Sequence, residues 1–156
     1  LVLHMMAMTG EGPSEMESLL TRKSGLYGLS GLSADMRVLL DFRRKGDTRA
    51  AMAIDVFCYR VKKYIGSYLA SLNGADAIVF TGGIGENAPQ IRAQICAGME
   101  NLGIRFDTAA NDGATGKEAQ ISLPDSPVNV WVIPTNEELL IARDTLRCLL
   151  GLPQPE

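Results

Sequence analysis

The chain has 156 residues, of which 46% are hydrophobic and 21% charged, and its formal net charge is −3. This balance predicts one folded globular domain and excludes an intrinsically disordered chain. The acidic charge argues against a protein that binds nucleic acid by neutralising phosphates, and the apolar runs are too short to cross a bilayer.

The N-terminal part predicts one helix followed by an ordered loop. A capping box, Ser14-x-x-Glu17, is typical of a helix start, and the helix is expected to end near Gly25. Residues 24–33 are rich in Gly and Ser, which favour loops. They also carry several large apolar side chains, so we expect an ordered loop rather than a free linker.

A long helix is predicted in the middle of the chain. It begins at Asp47-Thr48, and its apolar residues recur at the helical period. Asn73 and Gly74 accept the left-handed backbone conformation that ends helices, so the helix is expected to end there.

The second half of the chain mixes predicted strands and helices. A short buried strand is expected over Ala75–Thr81, where a run of glycines ends it, and a helix is expected from about Asn87 to Asn101. Two further strands are predicted over Ala119–Leu123 and Val128–Ile133, before a last helix that Gly151 ends. This alternation predicts an α/β layered fold.

Cysteine and histidine usage narrows the possible chemistry. The three cysteines, Cys58, Cys96 and Cys148, are widely spaced, which excludes C-x-x-C zinc and redox motifs and favours a reducing, cytoplasmic compartment. Each lies in an apolar helical context, so we expect buried structural thiols. The single histidine, His4, lies beside the terminus and is a poor candidate for a catalytic triad.

The strongest candidate site is the junction at which the strand runs into Gly82-Gly83-Ile84-Gly85 and then a helix start. Glycine lets a ligand approach the backbone closely, and a helix N-terminus presents unpaired N–H groups, so this junction suits a phosphate-bearing ligand. Neither a P-loop nor the dinucleotide G-x-G-x-x-G spacing is present. The alternative is a tight turn in which Asn87 is the helix N-cap and Glu86 interacts favourably with the helix dipole.

A second candidate follows the last predicted strand. If Thr135 is the N-cap of the last helix, Glu138 closes a capping box and Glu137 is left free. A free carboxylate at such a corner is a plausible Mg²⁺ ligand. The alternative is that both acids only stabilise the helix start.

A third candidate is Ser33-Ala34-Asp35-Met36-Arg37. Arg37 could stack on a base while Asp35 accepts hydrogen bonds from a ribose. The alternative is a surface ion pair or a helix cap.

Four segments together resemble the acetate kinase family, which includes the closely similar propionate kinases. The segments are Lys23-Ser24-Gly25-Leu26, Ser33-x-Asp35-Met36-Arg37, Phe80-Thr81-Gly82-Gly83-Ile84-Gly85-Glu86-Asn87 and Pro134-Thr135-Asn136-Glu137-Glu138-Leu139. The resemblance runs from the first residues to about Asp144. It implies the ribonuclease H-like α/β domain of the acetate and sugar kinase, Hsc70 and actin superfamily, with a mixed sheet flanked by helices.

The resemblance also implies a nucleotide site and a metal site. Asp35, Met36 and Arg37 would lie near the adenosine of ATP or ADP, and Glu137 would be the magnesium-associated glutamate. The residues implied to lie against the adenosine and phosphates are Gly83, Ile84, Gly85, Glu86 and Asn87.

The implied reaction is reversible transfer of the γ-phosphoryl group of ATP to acetate or propionate, which gives an acyl phosphate and ADP. Residues 1–156 resemble only the C-terminal, nucleotide-binding domain of this two-domain family, and residue 1 is Leu, so we expect the chain to begin inside a longer protein. The carboxylate site would then lie outside it, and the chain alone would be inactive. The alternatives are a module that binds ATP or ADP without turnover and a module that forms the family's homodimer contact.

Overall fold

A computed structural model describes residues 1–152, and the chain separates into two compact units, Leu1–Asn73 and Gly74–Glu156. The first unit is helical. Its helices are α1 (Val2–Thr9), α2 (Pro13–Arg22), α3 (Gly25–Ser30), α4 (Met36–Arg44) and α5 (Thr48–Ser71). The long helix α5 packs against both α3 and α4.

The start of the first unit differs from the prediction in three ways. Helix α1 was not predicted, and residues 24–33 contain the short helix α3 rather than a loop alone. The predicted capping box is wrong, because Gly12 is the N-cap of α2 and Pro13 opens the helix, which leaves Ser14 inside its first turn.

The long central helix is confirmed. The Asp47 side chain caps α5 by accepting hydrogen bonds from the N–H groups of Arg49 and Ala50, each at 2.9 Å. Asn73 and Gly74 follow the helix with φ of 58° and 110°, the left-handed conformations that the sequence predicts. The core beside this helix is fully enclosed: Leu39, Ala50, Ala53 and Ile54 have no exposed surface.

The second unit contains a three-stranded mixed sheet, which confirms the predicted α/β class. Its strands are β1 (Ala77–Phe80), β2 (Ala119–Gln120) and β3 (Asn129–Val132), in the order β1-β3-β2. β1 is parallel to β3, with Phe80 opposite Val132, and β2 is antiparallel to β3. The helices of this unit are α6 (Gly82–Asn87), α7 (Pro89–Cys96), α8 (Thr108–Asp112) and α9 (Glu137–Leu150).

The predicted helix over 87–101 is corrected. The glycines themselves form α6, and a separate helix α7 ends at Cys96, before a 3₁₀ turn over Glu100–Leu102. Ala88 separates the two helices with φ −120° and ψ 76°. The break falls there because Pro89 has no N–H and disfavours helical backbone at the residue before it.

The predicted capping box at the last helix is also wrong. Asn136 is the N-cap of α9 and accepts a hydrogen bond from Leu139 N at 3.0 Å, while Thr135 bonds elsewhere. The predicted stop is confirmed, since Gly151 is left-handed with φ 64°.

Two of the three expectations for the cysteines hold. Cys58 and Cys96 are buried, and burial raises the pKa of Cys58 to about 11. Cys148 is exposed on α9, so the prediction that it is buried is wrong. Within residues 1–152, no helix combines the length and apolarity needed to span a membrane.

Candidate functional site

Two chain segments of the second unit leave the sheet at the same edge. β1 and β3 are neighbouring parallel strands, so their carboxyl ends meet there. Helix α6 follows β1 directly, and the corner of residues 134–137 follows β3. The glycine segment and Glu137, predicted separately, therefore lie on connections from adjacent strand ends. This arrangement is typical of ligand sites in α/β sheets.

The three glycines of α6 have different structural roles. Gly82 has φ 72°, a conformation that favours glycine. A Cβ at Gly85 would lie 3.2 Å from the carbonyl carbon of Phe80, so the absence of a side chain lets α6 pack closely on the end of β1. A Cβ at Gly83 would meet nothing within 4 Å. Gly83 therefore exposes backbone that a ligand could approach.

Glu86 joins the two connections. Its Oε1 atom accepts hydrogen bonds from Gly82 N at 2.8 Å, Thr135 N at 2.8 Å and Thr135 Oγ1 at 2.9 Å. The bonds from Thr135 lower the pKa of this carboxyl most, and Gly82 and Thr81 contribute in the same direction. The carboxylate of Glu86 does meet a helix start, but it is that of its own helix: Gly82 is the first residue of α6.

Asn87 does not cap the following helix. It is the last residue of α6, and its Nδ2 atom donates to Gly83 O at 3.1 Å, while Ala88 is the N-cap of α7. The Asn87 side chain therefore closes the short helix from its C-terminal side.

The fully buried side chain of Arg92 donates hydrogen bonds to backbone carbonyls of α6, and the sequence did not lead us to predict this role. All five N–H donors of Arg92 are used. Nη1 donates to Gly85 O at 2.7 Å and Glu86 O at 3.1 Å. Nε donates to Asn111 Oδ1 at 2.8 Å, and Nη2 donates to Asn111 O at 2.9 Å and Ala114 O at 3.0 Å.

The guanidinium group of Arg92 is surrounded by polar acceptors but is shielded from solvent. Burial lowers its pKa, and the nearby charge of Asp112 opposes that shift. The signal that could have found Arg92 is its position directly after Ile91, on a short helix whose other buried positions are apolar. A charged residue in such a stripe is buried only when its donors are satisfied.

Glu137 is the first residue of α9 and is exposed, beside Glu138 in the same turn. Residues 1–152 contain no cluster of three or more His, Cys, Asp or Glu side chains that could hold a metal by itself. A single exposed carboxylate does fit Mg²⁺ chemistry, because this ion binds through one or two carboxylates together with phosphate oxygens and water.

The remaining predicted site residues lie in the first unit. Asp35 is the N-cap of α4 and accepts a hydrogen bond from Arg37 N at 2.9 Å, while its Oδ2 atom pairs with Arg37 Nη2 at 2.6 Å. The hydrogen bonds from Arg37 lower the pKa of Asp35 to about 2. Met36 is 4% exposed, so its side chain belongs to the core. The ion pair and the cap are both present, and contact with a nucleotide stays a prediction.

Comparison with known proteins identifies relatives over nearly the whole chain. Residues 1–143 match the Acetokinase family. The chain is 56% identical over 147 residues to the acetate kinase of Solibacter usitatus, a match that covers 94% of this chain and 36% of that protein.

Solved structures agree with the sequence comparison. The crystal structure of Porphyromonas gingivalis acetate kinase matches with a TM-score of 0.87 and 43% identity, covering 95% of this chain and 37% of that one. A propionate kinase from Francisella tularensis matches with a TM-score of 0.80 and 39% identity, covering 92% of this chain and 36% of that one. The predicted superfamily fold is thus confirmed, and the chain spans about a third of the length of these relatives.

Proposed function

Because the chain belongs to the acetokinase family, we propose that it supplies the nucleotide-binding part of a kinase that transfers the γ-phosphoryl group of ATP to a short carboxylate, reversibly. One observation carries this proposal: the open glycine backbone at Gly83 and the exposed carboxylate of Glu137 lie on connections from adjacent strand ends. The acceptor class rests on relatives that are acetate and propionate kinases. The free cysteines of residues 1–152 are compatible with the cytoplasmic compartment proposed for this reaction.

We assign the nucleotide contacts residue by residue. In the second unit, the segment Gly83–Asn87 would lie against the adenosine and phosphates, supported by the close packing of α6 on β1. In the first unit, Asp35 and Arg37 would contact the adenosine with their exposed polar groups. Met36 would contribute only its backbone, since its side chain is buried.

Glu137 would hold Mg²⁺ together with phosphate oxygens of the nucleotide. The bound ion would neutralise charge that develops on the transferring phosphoryl group. The chain's own contribution would be to position these groups. The glycine segment would hold the nucleotide phosphates, and the first turn of α9 would hold the carboxylate, both at the same edge of the sheet.

Calorimetric titration of the chain with ADP in the presence of Mg²⁺ tests the nucleotide site, and we expect heat of binding. Gly83→Ala should weaken ADP binding about tenfold by blocking close approach, while thermal unfolding is unchanged because the added Cβ meets open space. Gly66→Ala on α5 is the matched control, since its Cβ also meets nothing within 4 Å. No heat at millimolar nucleotide would contradict the proposal.

The chain alone is proposed to be inactive, because the carboxylate site would lie in the other two thirds of the longer relatives. The measurement is acetate-dependent formation of ADP from ATP by the purified chain. Turnover above the rate without acetate would contradict this part of the proposal.

A second candidate function is self-association through the first unit. One observation favours it: Tyr59, Tyr64 and Tyr68 on α5 are 54–62% exposed, and Met52 on the same helix is 48% exposed. Exposed aromatic side chains on one helix are typical of interfaces. Sedimentation at several concentrations tests this candidate, and a monomer at every concentration would reject it.

A further inference from the structure

We infer that Glu86 is a positioning residue, which ties the glycine segment to the corner that carries Glu137 and so keeps the phosphate-facing backbone and the candidate Mg²⁺ carboxylate at a fixed spacing. The inference rests on the proposed function and deepens it. It assigns to Glu86 a part in Mg-nucleotide binding that needs no contact between its side chain and the nucleotide.

The geometry places Glu86 between the two connections. One atom, Oε1, receives Gly82 N from the start of α6 and both donors of Thr135, within 2.8–2.9 Å. Glu86 and Thr135 are 49 residues apart in the sequence, so the link is tertiary. Thr135 lies two residues before Glu137, and a displacement of Thr135 would therefore move the start of α9.

The sheet alone does not provide this link. The ladder between β1 and β3 continues with a hydrogen bond from Ile133 N to Phe80 O at 3.0 Å. Beyond that bond the two chain segments diverge, one into α6 and the other into the corner before α9. Glu86 then joins them again, because its Oε1 atom accepts two hydrogen bonds from Thr135 of the other segment and one from Gly82 of its own helix, at the place where the proposed ligand groups begin.

The chemistry of the link requires a carboxylate. Three donors converge on one oxygen, and a charged oxygen accepts them more strongly than a neutral amide oxygen does. The low pKa of Glu86, caused first by the Thr135 bonds, is the expected response to such donors. Glu86→Gln keeps the shape of the side chain and weakens all three bonds.

The experiment measures the affinity of the full chain for ADP by calorimetry, with and without Mg²⁺, and takes the ratio as the Mg²⁺ enhancement. In Glu86→Gln we expect the Mg²⁺ enhancement to fall about tenfold, and any loss of affinity for ADP measured without Mg²⁺ to be smaller than that. Thr135→Val removes one donor and should lower the enhancement less. Thr135→Ser keeps the hydroxyl and should restore it.

The matched control is Glu118→Gln, which removes the same charge from an exposed residue of the same unit and should change neither affinity. Circular dichroism verifies that each variant folds, and Thr135→Val carries the test if Glu86→Gln does not fold. An unchanged enhancement in both Glu86→Gln and Thr135→Val would overturn this inference alone. Equal losses with and without Mg²⁺ would also overturn it, because they indicate a direct or purely structural role. A chain that binds no ADP would overturn the proposed function as well.

Discussion

The two regions that carry the predicted nucleotide residues are stabilised by different kinds of contact. Asp35 and Arg37 are two residues apart, and the Arg37 side chain is 90% exposed. Glu86 instead bonds to Thr135 across 49 residues, and the carbonyls behind it are held by the fully buried Arg92. The Asp35–Arg37 pair is a local contact exposed to solvent, whereas the hydrogen bonds of Glu86 and Arg92 are tertiary contacts and partly buried.

This difference has a functional consequence. An exposed ion pair contributes little to stability and can exchange its partner for a ligand at small cost. A segment fixed by tertiary hydrogen bonds is preorganised, so that a ligand does not have to order it. Under the proposed assignment, the segment Gly83–Asn87 would therefore hold the phosphates in a fixed geometry, while Asp35 and Arg37 would adapt to the adenosine.

The largest effect is expected from removing the buried arginine. Arg92→Met leaves the carbonyls of Gly85, Glu86, Asn111 and Ala114 without their donors, and buried acceptors without partners are costly. We expect the free energy of unfolding to fall by about 3–5 kcal/mol, measured by urea denaturation. Lys117→Met, an exposed change of charge in the same unit, is the control. A loss no larger than that of the control would remove the contrast between the two regions.

A smaller effect is expected at Gly85. Gly85→Ala brings a Cβ to 3.2 Å from the carbonyl carbon of Phe80, so α6 must move away from β1, at a cost of about 1–3 kcal/mol. Gly83→Ala adds the same methyl group to open space and should not destabilise the chain. Thermal unfolding compares the two variants. Equal melting temperatures would show that the close packing of α6 on β1 is not required.

The elements that the sequence predicts best depend on neighbouring residues. The start of α5 at Asp47 and its end at Asn73 are both encoded within one helical turn, and both predictions are confirmed. The two predicted capping boxes are both wrong: the one at Thr135 fails because of a tertiary contact, and the one at Ser14 fails because of a neighbouring residue. Thr135 uses its hydroxyl and its N–H on Glu86, and Pro13 sets the start of α2 one residue before Ser14.

The candidate site likewise has features that the local sequence predicts and contacts that it does not. The glycine segment and the corner at Glu137 were predicted because their residue types stand at strand ends. The carboxylate that joins them bonds to a partner 49 residues distant. Arg92 bonds to α6 six and seven residues before it, but its burial also depends on partners 19 and 22 residues distant. Spacing within a short window does not contain this information.

A third and smaller loss of stability is expected at Asn136, the N-cap residue of α9. Asn136→Ala removes the oxygen that accepts a hydrogen bond from Leu139 N, which should cost about 1 kcal/mol. Urea denaturation measures this loss and is applied to both variants of this comparison. Ser14→Ala, at a position that sequence reasoning had assigned to a cap, should have almost no effect. If Ser14→Ala were the more destabilising of the two, the assignment of both caps would be wrong.

The smallest effect on stability is expected in the exposed pair. Arg37→Gln removes the side-chain partner that lowers the pKa of Asp35 most, while the backbone bond from residue 37 remains. The pKa of Asp35, about 2 in the unchanged chain, should therefore rise toward the ordinary aspartate value of 3.8. Since the pKa of the folded state lies below that of the unfolded state, the stabilisation is complete above about pH 4 and is lost as pH falls through about 2.

The measurement is an NMR titration of the Asp35 carboxyl carbon in both chains, accompanied by unfolding at pH 7 and near pH 2. We expect a clear change in the pKa and almost no change in stability at pH 7, because solvent screens an exposed pair. Any difference in stability between the two chains should shrink on acidification, as Asp35 becomes protonated in both. A pKa that stays near 2 in Arg37→Gln would mean that the cap alone accounts for the shift. Asp35 would then be held as firmly as Glu86, and the contrast between an adaptable and a preorganised region would fail.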